Sequence, residues 1–373
     1  MLIENPTLDQ IINQIKSLAP GKNDAVLILL AQDASIDVLN LIEQLNSMGV
    51  KFFGGLFPRV IHDVKQYNQA CILLKIPVIN RPIMVLGLKE FDPNLSHLTT
   101  IINNLEKKAT AITLIDGFST NISAFLRALQ NITGTSTNLI GGGAGTLDIH
   151  QQACVFSNDG FYQDAAVICF VDYDLNMSMH HGMKKKIGPF IATRTQKNVI
   201  YELNWESAFN VYEGVLNEYG VEKLTFDNFF FFAKGFPFGI LREEDEDIAR
   251  VPITFTKEGA LICIGEVPEN TVLNILVADN DSFIEAAENS LKAVIQEENS
   301  NCDFLFIVDC VSRSLFMGDQ FEKELTLIQE ELKEKINIKE IFGVMSVGEI
   351  ASNGEDFVEF QNKSIIIGAF QKN

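Results

Sequence analysis

No C-x-x-C pair occurs anywhere in the 373 residues, and the six cysteines, Cys71, Cys154, Cys169, Cys263, Cys302 and Cys310, stand singly, several of them inside apolar runs. That pattern offers neither a zinc site nor a disulfide framework and is expected of reduced core residues in a cytoplasmic protein. Basic residues are also short, at 29 against 49 acidic ones, and the net charge of −20 repels phosphate backbones and anionic lipid. No nucleic-acid or membrane-surface role is therefore expected. Long hydrophobic runs are missing too. The apolar stretches at 24–31 and 165–171 suit buried strands and are far too short to span a bilayer, and the N-terminus lacks the basic start and apolar run of a secretory signal.

What the chain does have is a pattern written three times. Residues 24–30 form a strand-like run, 32–35 a polar turn, and 36–48 carry Val38, Leu39, Ile42 and Leu45 at helical spacing. Residues 50–55 then give a short strand ending in Gly54 and Gly55, and 69–74 a further strand. The second copy runs through 111–116, the turn 117–120, a helix holding Ile122, Phe125, Leu126 and Leu129, the glycine strand 138–145, and strands at 152–155 and 165–171. The third runs through 304–309, the turn 310–313, a helix over about 320–336, the glycine strand 340–349 and a closing strand at 364–370. Each copy is a β-α-β-β unit. The expected class is α/β, with two lobes of mixed sheets covered by helices.

Residues 177–281 read differently. They hold a polar strand pair near 177–181, a helix over 204–219 with Trp205, Phe209, Tyr212 and Leu216, an aromatic run at 226–232, and strands at 250–255, 261–264 and 271–276. Asp281 or Ser282 is the expected cap of the next amphipathic helix. A domain boundary is expected near residue 220.

Several short motifs stand in order along the chain: 140–145 (Ile-Gly-Gly-Gly-Ala-Gly), His181-Gly182, Ile187-Gly188, 235–240 (Gly-Phe-Pro-Phe-Gly-Ile), 249–252 (Ala-Arg-Val-Pro) and 265–268 (Gly-Glu-Val-Pro). Then come 310–313 (Cys-Val-Ser-Arg), 316–318 (Phe-Met-Gly) and 346–350 (Ser-Val-Gly-Glu-Ile). In this order and spacing the chain resembles the FIST family, a sensory module of signal-transduction proteins. The resemblance puts a FIST N-terminal domain at 20–215 and a FIST C-terminal domain at 218–360. It implies binding of a small molecule, an amino acid or related metabolite, and no catalysis. Some members resemble haem-bound nitric-oxide sensors that act on a histidine kinase or a cyclic-dinucleotide enzyme, which gives the alternative expectation. No kinase, receiver or transmembrane segment is read in the chain, so any output is expected to pass through a separate partner.

Loops at the carboxyl ends of adjacent strands tend to line one crevice, and these loops supply the candidate site. Asp116 and Ser119 of the second copy, matched by Asp309 and Ser312 of the third, serve either as helix N-caps or as ligand contacts. Gly141, Gly142, Gly143 and Gly145 either bring backbone N–H groups close to an anionic ligand or let two layers pack tightly. They meet neither nucleotide-binding glycine pattern. Arg313 and Glu349, with Gly348 alongside and Asn362 in the final turn, either grip the charged ends of an amino acid or tie two loops together as an ion pair. A hydrolase using Asp116, Ser119 or Cys310 would need a base within reach, and no histidine recurs at a repeat position. His181, at the family's His-Gly position, and His180 are the candidate haem-iron ligands, or else hydrogen-bonded strand residues. The expected mechanism is ligand binding that shifts an open–closed equilibrium of the lobes and alters a partner's contact surface.

Overall fold

Continuous Val, Ile and Leu runs fit strands covered on both faces. In the computed structural model, which describes residues 1–90, 95–103, 109–148, 150–243, 246–295, 302–335, 340–353 and 358–372, each copy opens on such a strand. These are Asp24–Ala31, Ala109–Asp116 and Phe304–Cys310. The chain returns through helical segments, Val38–Ser47 in the first copy, Ile122–Thr133 in the second, and Val311–Met317 followed by Phe321–Lys335 in the third. A parallel second strand comes next, Phe52–Phe57, Thr137–Ala144 or Ile341–Ser346. The third strand, Ala70–Pro77, Ala165–Val171 or Ile365–Lys372, lies antiparallel on the other side of the first. The β-α-β-β reading is borne out in all three copies, and the fold is α/β with mixed sheets.

The copies exchange hairpins in a ring. Residues Arg59–His62 and Lys65–Tyr67 of the first copy extend the third copy's sheet. The second copy's Val155–Ser157 and Gly160–Tyr162 extend the first sheet, and the third copy's Glu349–Ser352 and Glu359–Gln361 extend the second. Each copy thus completes a neighbour, and the sheets share one core. Leu27, Leu29, Ile112, Leu114, Phe306 and Val308 meet there. Alternate residues point outward, as strand pleating requires. Val26, Ile28 and Leu30 pack with Ile11 and Ile15 of the helix Leu8–Leu18, and Ile115 and Ile307 lie among the helices of the other two copies.

Between the second and third copies, residues 184–277 build an eight-stranded antiparallel sheet with its own core around Tyr212, Phe229 and Phe238. The strand Tyr173–His180, grouped with this segment in the sequence, instead pairs with Ile365–Lys372. Three local expectations are corrected. The helix expected from residue 204 starts at Ala208, because Asn204 and Trp205, with φ of 52° and 64°, turn the chain into the short strand Glu206–Ser207. The helix Asn280–Val294 is capped by Asp279, whose carboxylate accepts the Ser282 N–H at 2.8 Å, not by Asp281 or Ser282. Residues 311–313 are the first turn of a helix rather than a loop. Among the described residues no helix is long and apolar enough to cross a membrane.

Candidate functional site

The carboxyl ends of the second and third copies face the eight-stranded unit across a pocket with about 80 Å³ of water-accessible space. Its apolar wall has three sources: Phe118 and Leu147 from the second copy, Phe230, Val251 and Ile264 from the eight-stranded unit, and Leu315 and Val347 from the third copy. Its polar side chains are Thr146, Cys310, Ser312, Ser346 and Asn362. Asn362 also ties two of the units, since its Oδ1 accepts the Val251 N–H at 3.1 Å.

Of the residues weighed as ligand contacts, Cys310, Ser312, Gly348 and Asn362 line this pocket. Asp116 and Ser119 do not, and neither caps a helix, because the helix Ile122–Thr133 begins at Asn121 without a side-chain cap. Asp116 is buried and accepts the Phe118 N–H at 3.0 Å, the Asp164 N–H at 2.7 Å and the Gln151 amide at 2.6 Å, while the Ser119 hydroxyl donates to Asp164. These two hold loops together. Gly141, Gly142 and Gly143 lie within a strand, where Val347 N–H donates to the Gly143 carbonyl at 2.8 Å and Gly143 N–H to the Gly348 carbonyl at 2.7 Å. Gly145 lies against Phe118 and Val347 with φ of 154°, so a side chain there meets both strain and crowding. Close packing is therefore the role of the glycine run.

Arg313 and Glu349 do not form a pair. Arg313 is fully buried and donates to Glu324 and to the Phe283 carbonyl, with its guanidinium 4.5 Å from the Phe283 ring centre. Glu324 comes from the next helix, which the sequence could not place opposite Arg313. Beside them, burial and the neighbouring Glu324 push the Asp309 carboxyl well above the usual range. Glu349 sits behind the pocket and accepts the Ser346 hydroxyl at 2.7 Å and the Ser364 N–H at 3.1 Å. Burial pushes it up to about 8. The sequence reading missed Lys363, which is also buried and donates to the Ser312 carbonyl at 2.8 Å. Burial pushes it down to about 7. Lysine is normally a surface residue, so only its place in the final turn beside Asn362 could have drawn notice.

These two shifts predict opposite pH effects. Glu349 titrates near 4.5 when unfolded and near about 8 when folded, so within that window the fold holds a proton the unfolded chain has lost. Its contribution to stability is lost as pH rises through the window. Lys363 titrates near 10.5 when unfolded and near about 7 when folded, so its contribution is gained as pH rises between those values. Urea unfolding across both windows should give a wild-type-minus-variant difference that falls for Glu349→Gln and rises for Lys363→Met. Flat differences would contradict the buried placement of both groups.

The geometry does not fit a haem. The apolar pocket carries no histidine, and its space of about 80 Å³ is far too small for the macrocycle. His181 is buried with both ring nitrogens engaged: Nδ1 accepts the Met183 N–H at 2.8 Å, and Nε2 bonds the Asp247 carbonyl at 2.8 Å. His180 faces a separate polar cavity shared with Arg242, Glu246, Asp247 and Glu359, a poor surround for an apolar macrocycle. Among the described residues no group of three or more His, Cys, Asp or Glu could hold a metal ion. The Cys310 thiol hydrogen-bonds to the Ser312 hydroxyl, at 3.2 Å, and to Glu349, and burial disfavours its thiolate form.

The structure is thus a repeated α/β body with a small apolar pocket at its seams. Residues 79–206 match the FIST N domain and residues 208–352 the FIST C domain. The chain belongs to the FIST family, whose domains are sensory domains of signal transduction rather than catalytic ones. A search of curated proteins finds no match to it.

Proposed function

We propose that the chain is a small-ligand sensor whose ligand occupies the seam pocket. The supporting observation is that one pocket is walled by side chains of the second copy, the third copy and the eight-stranded unit, so a ligand there bridges all three. The chemistry of the wall favours a small, largely apolar molecule with one hydrogen-bonding head placed against Ser312, Ser346 and Asn362. Apolar amino acids and their amides fall in this class, although Arg313 is already engaged and does not grip a carboxylate. Binding pulls the eight-stranded unit onto the repeated body, and the altered surface is read by a separate partner protein.

A thermal-shift screen of carboxamides, alcohols and apolar amino acids tests the site. A ligand at a hundred times its Kd should stabilise the fold by about 2.7 kcal/mol. Leu315→Trp, which fills the pocket, should abolish the shift. No shift by any compound, or the same shift in the filled variant, would remove this pocket as the sensing site.

A further inference from the structure

A second cavity lies where two sheet edges diverge, between Tyr173–His180 of the third copy's sheet and Glu359–Gln361 of the second copy's. Its volume is about 300 Å³, the lower end of small-molecule sites. Most charges on its wall are already matched. Asp247 pairs with Lys185 at 3.0 Å and accepts from Asn274 at 3.1 Å, and Glu246 accepts the N–H groups of His181 and Gly182 at 2.8 and 2.9 Å. Arg242 is the wall's one guanidinium among the described residues.

Three side chains on that wall keep at least one polar atom without a hydrogen-bond partner among the described residues. Gln361 is only 5% exposed, yet its side-chain amide makes no hydrogen bond. That amide opens onto the cavity rather than being sealed in the core, so it is free to meet a ligand there. The Glu359 carboxylate is likewise unbonded. His180 engages Nδ1 with the Ser290 hydroxyl at 3.0 Å and leaves Nε2 unbonded. With the proton on Nδ1, Nε2 is an acceptor, so Glu359, Gln361 Oε1 and His180 Nε2 form an acceptor-rich set.

We propose that this cavity binds a small primary amine, whose ammonium donates to Glu359, Gln361 and His180. An ammonium carries three donors and no acceptor, which matches the set, whereas a hydroxyl brings one donor. An anion would meet Glu359 and a protein of net charge −20. This site is distinct from the seam pocket and does not depend on that assignment.

Calorimetric titration with ethanolamine and 1,3-propanediamine tests the proposal, with glycerol and acetate as neutral and anionic counterparts. The amines should bind, more weakly as salt rises, and at least tenfold more weakly to Glu359→Gln and to Gln361→Leu. Circular dichroism that matches the wild type keeps these variants interpretable, because Glu359 is only half-buried. The proposal is overturned if neither amine binds, if glycerol or acetate binds as tightly, or if both variants bind amines like the wild type.

Discussion

Arg313→Met should destabilise the protein by about 3–5 kcal/mol, the usual consequence of removing one partner of a buried ion pair. The loss strands Glu324 in a site with no exposure and removes the cation nearest Asp309, 3.7 Å away. It also unties the Phe283, His181 and Lys363 carbonyls that the guanidinium gathers from three parts of the chain. Adding Glu324→Leu should restore much of the stability, because the stranded charge then goes as well. Urea unfolding measures both effects. A ligand-gripping Arg313 would give the reverse outcome, with normal stability and lost binding.

The second large effect is at the glycines of the second strands. Gly54 lies opposite Ile28, Gly141 opposite Thr113, and Gly343 opposite Ile307, the same place in each copy. A Cβ at any of them would fall on the carbonyl oxygen of that partner, a backbone atom that cannot swing aside. Gly141→Ala should therefore cost more than about 3 kcal/mol, beyond ordinary overpacking, and the variant should be recovered as insoluble or proteolysed chain. Gly214→Ala is the control. That glycine sits in the helix Ala208–Glu218 with open space at its Cβ, and alanine there should add about 0.5–1 kcal/mol. Equal tolerance at Gly141 and Gly214 would contradict the strand packing.

The repeat was legible because its signal is local. Runs such as 109–116 and 304–310 are apolar on both faces, and helical spacing marks the segment after each. The ring of exchanged hairpins was not legible, because nothing in Val155–Ser157 states that it pairs with Phe53–Gly55 rather than with its own copy's strand. Trp205 fitted a helical stripe by spacing alone, yet Asn204 beside it takes up the turn. At the site, Cys310, Gly348 and Asn362 were found because loop ends of α/β units converge. Arg313 was misplaced because its partner Glu324 lies one helix on, and charge complementarity cannot choose among several acidic residues. Phe230, Val251 and Ile264 were missed because ordinary core residues and pocket residues look alike in sequence.

Closure over a ligand at the seam is best tested by hydrogen exchange with the strongest thermal-shift ligand. Added protection is expected in three separated segments at once: around Phe118 and Leu147, around Phe230 and Val251, and along Val311–Met317. Protection confined to one of them, or none at any, would contradict a sensor that closes there.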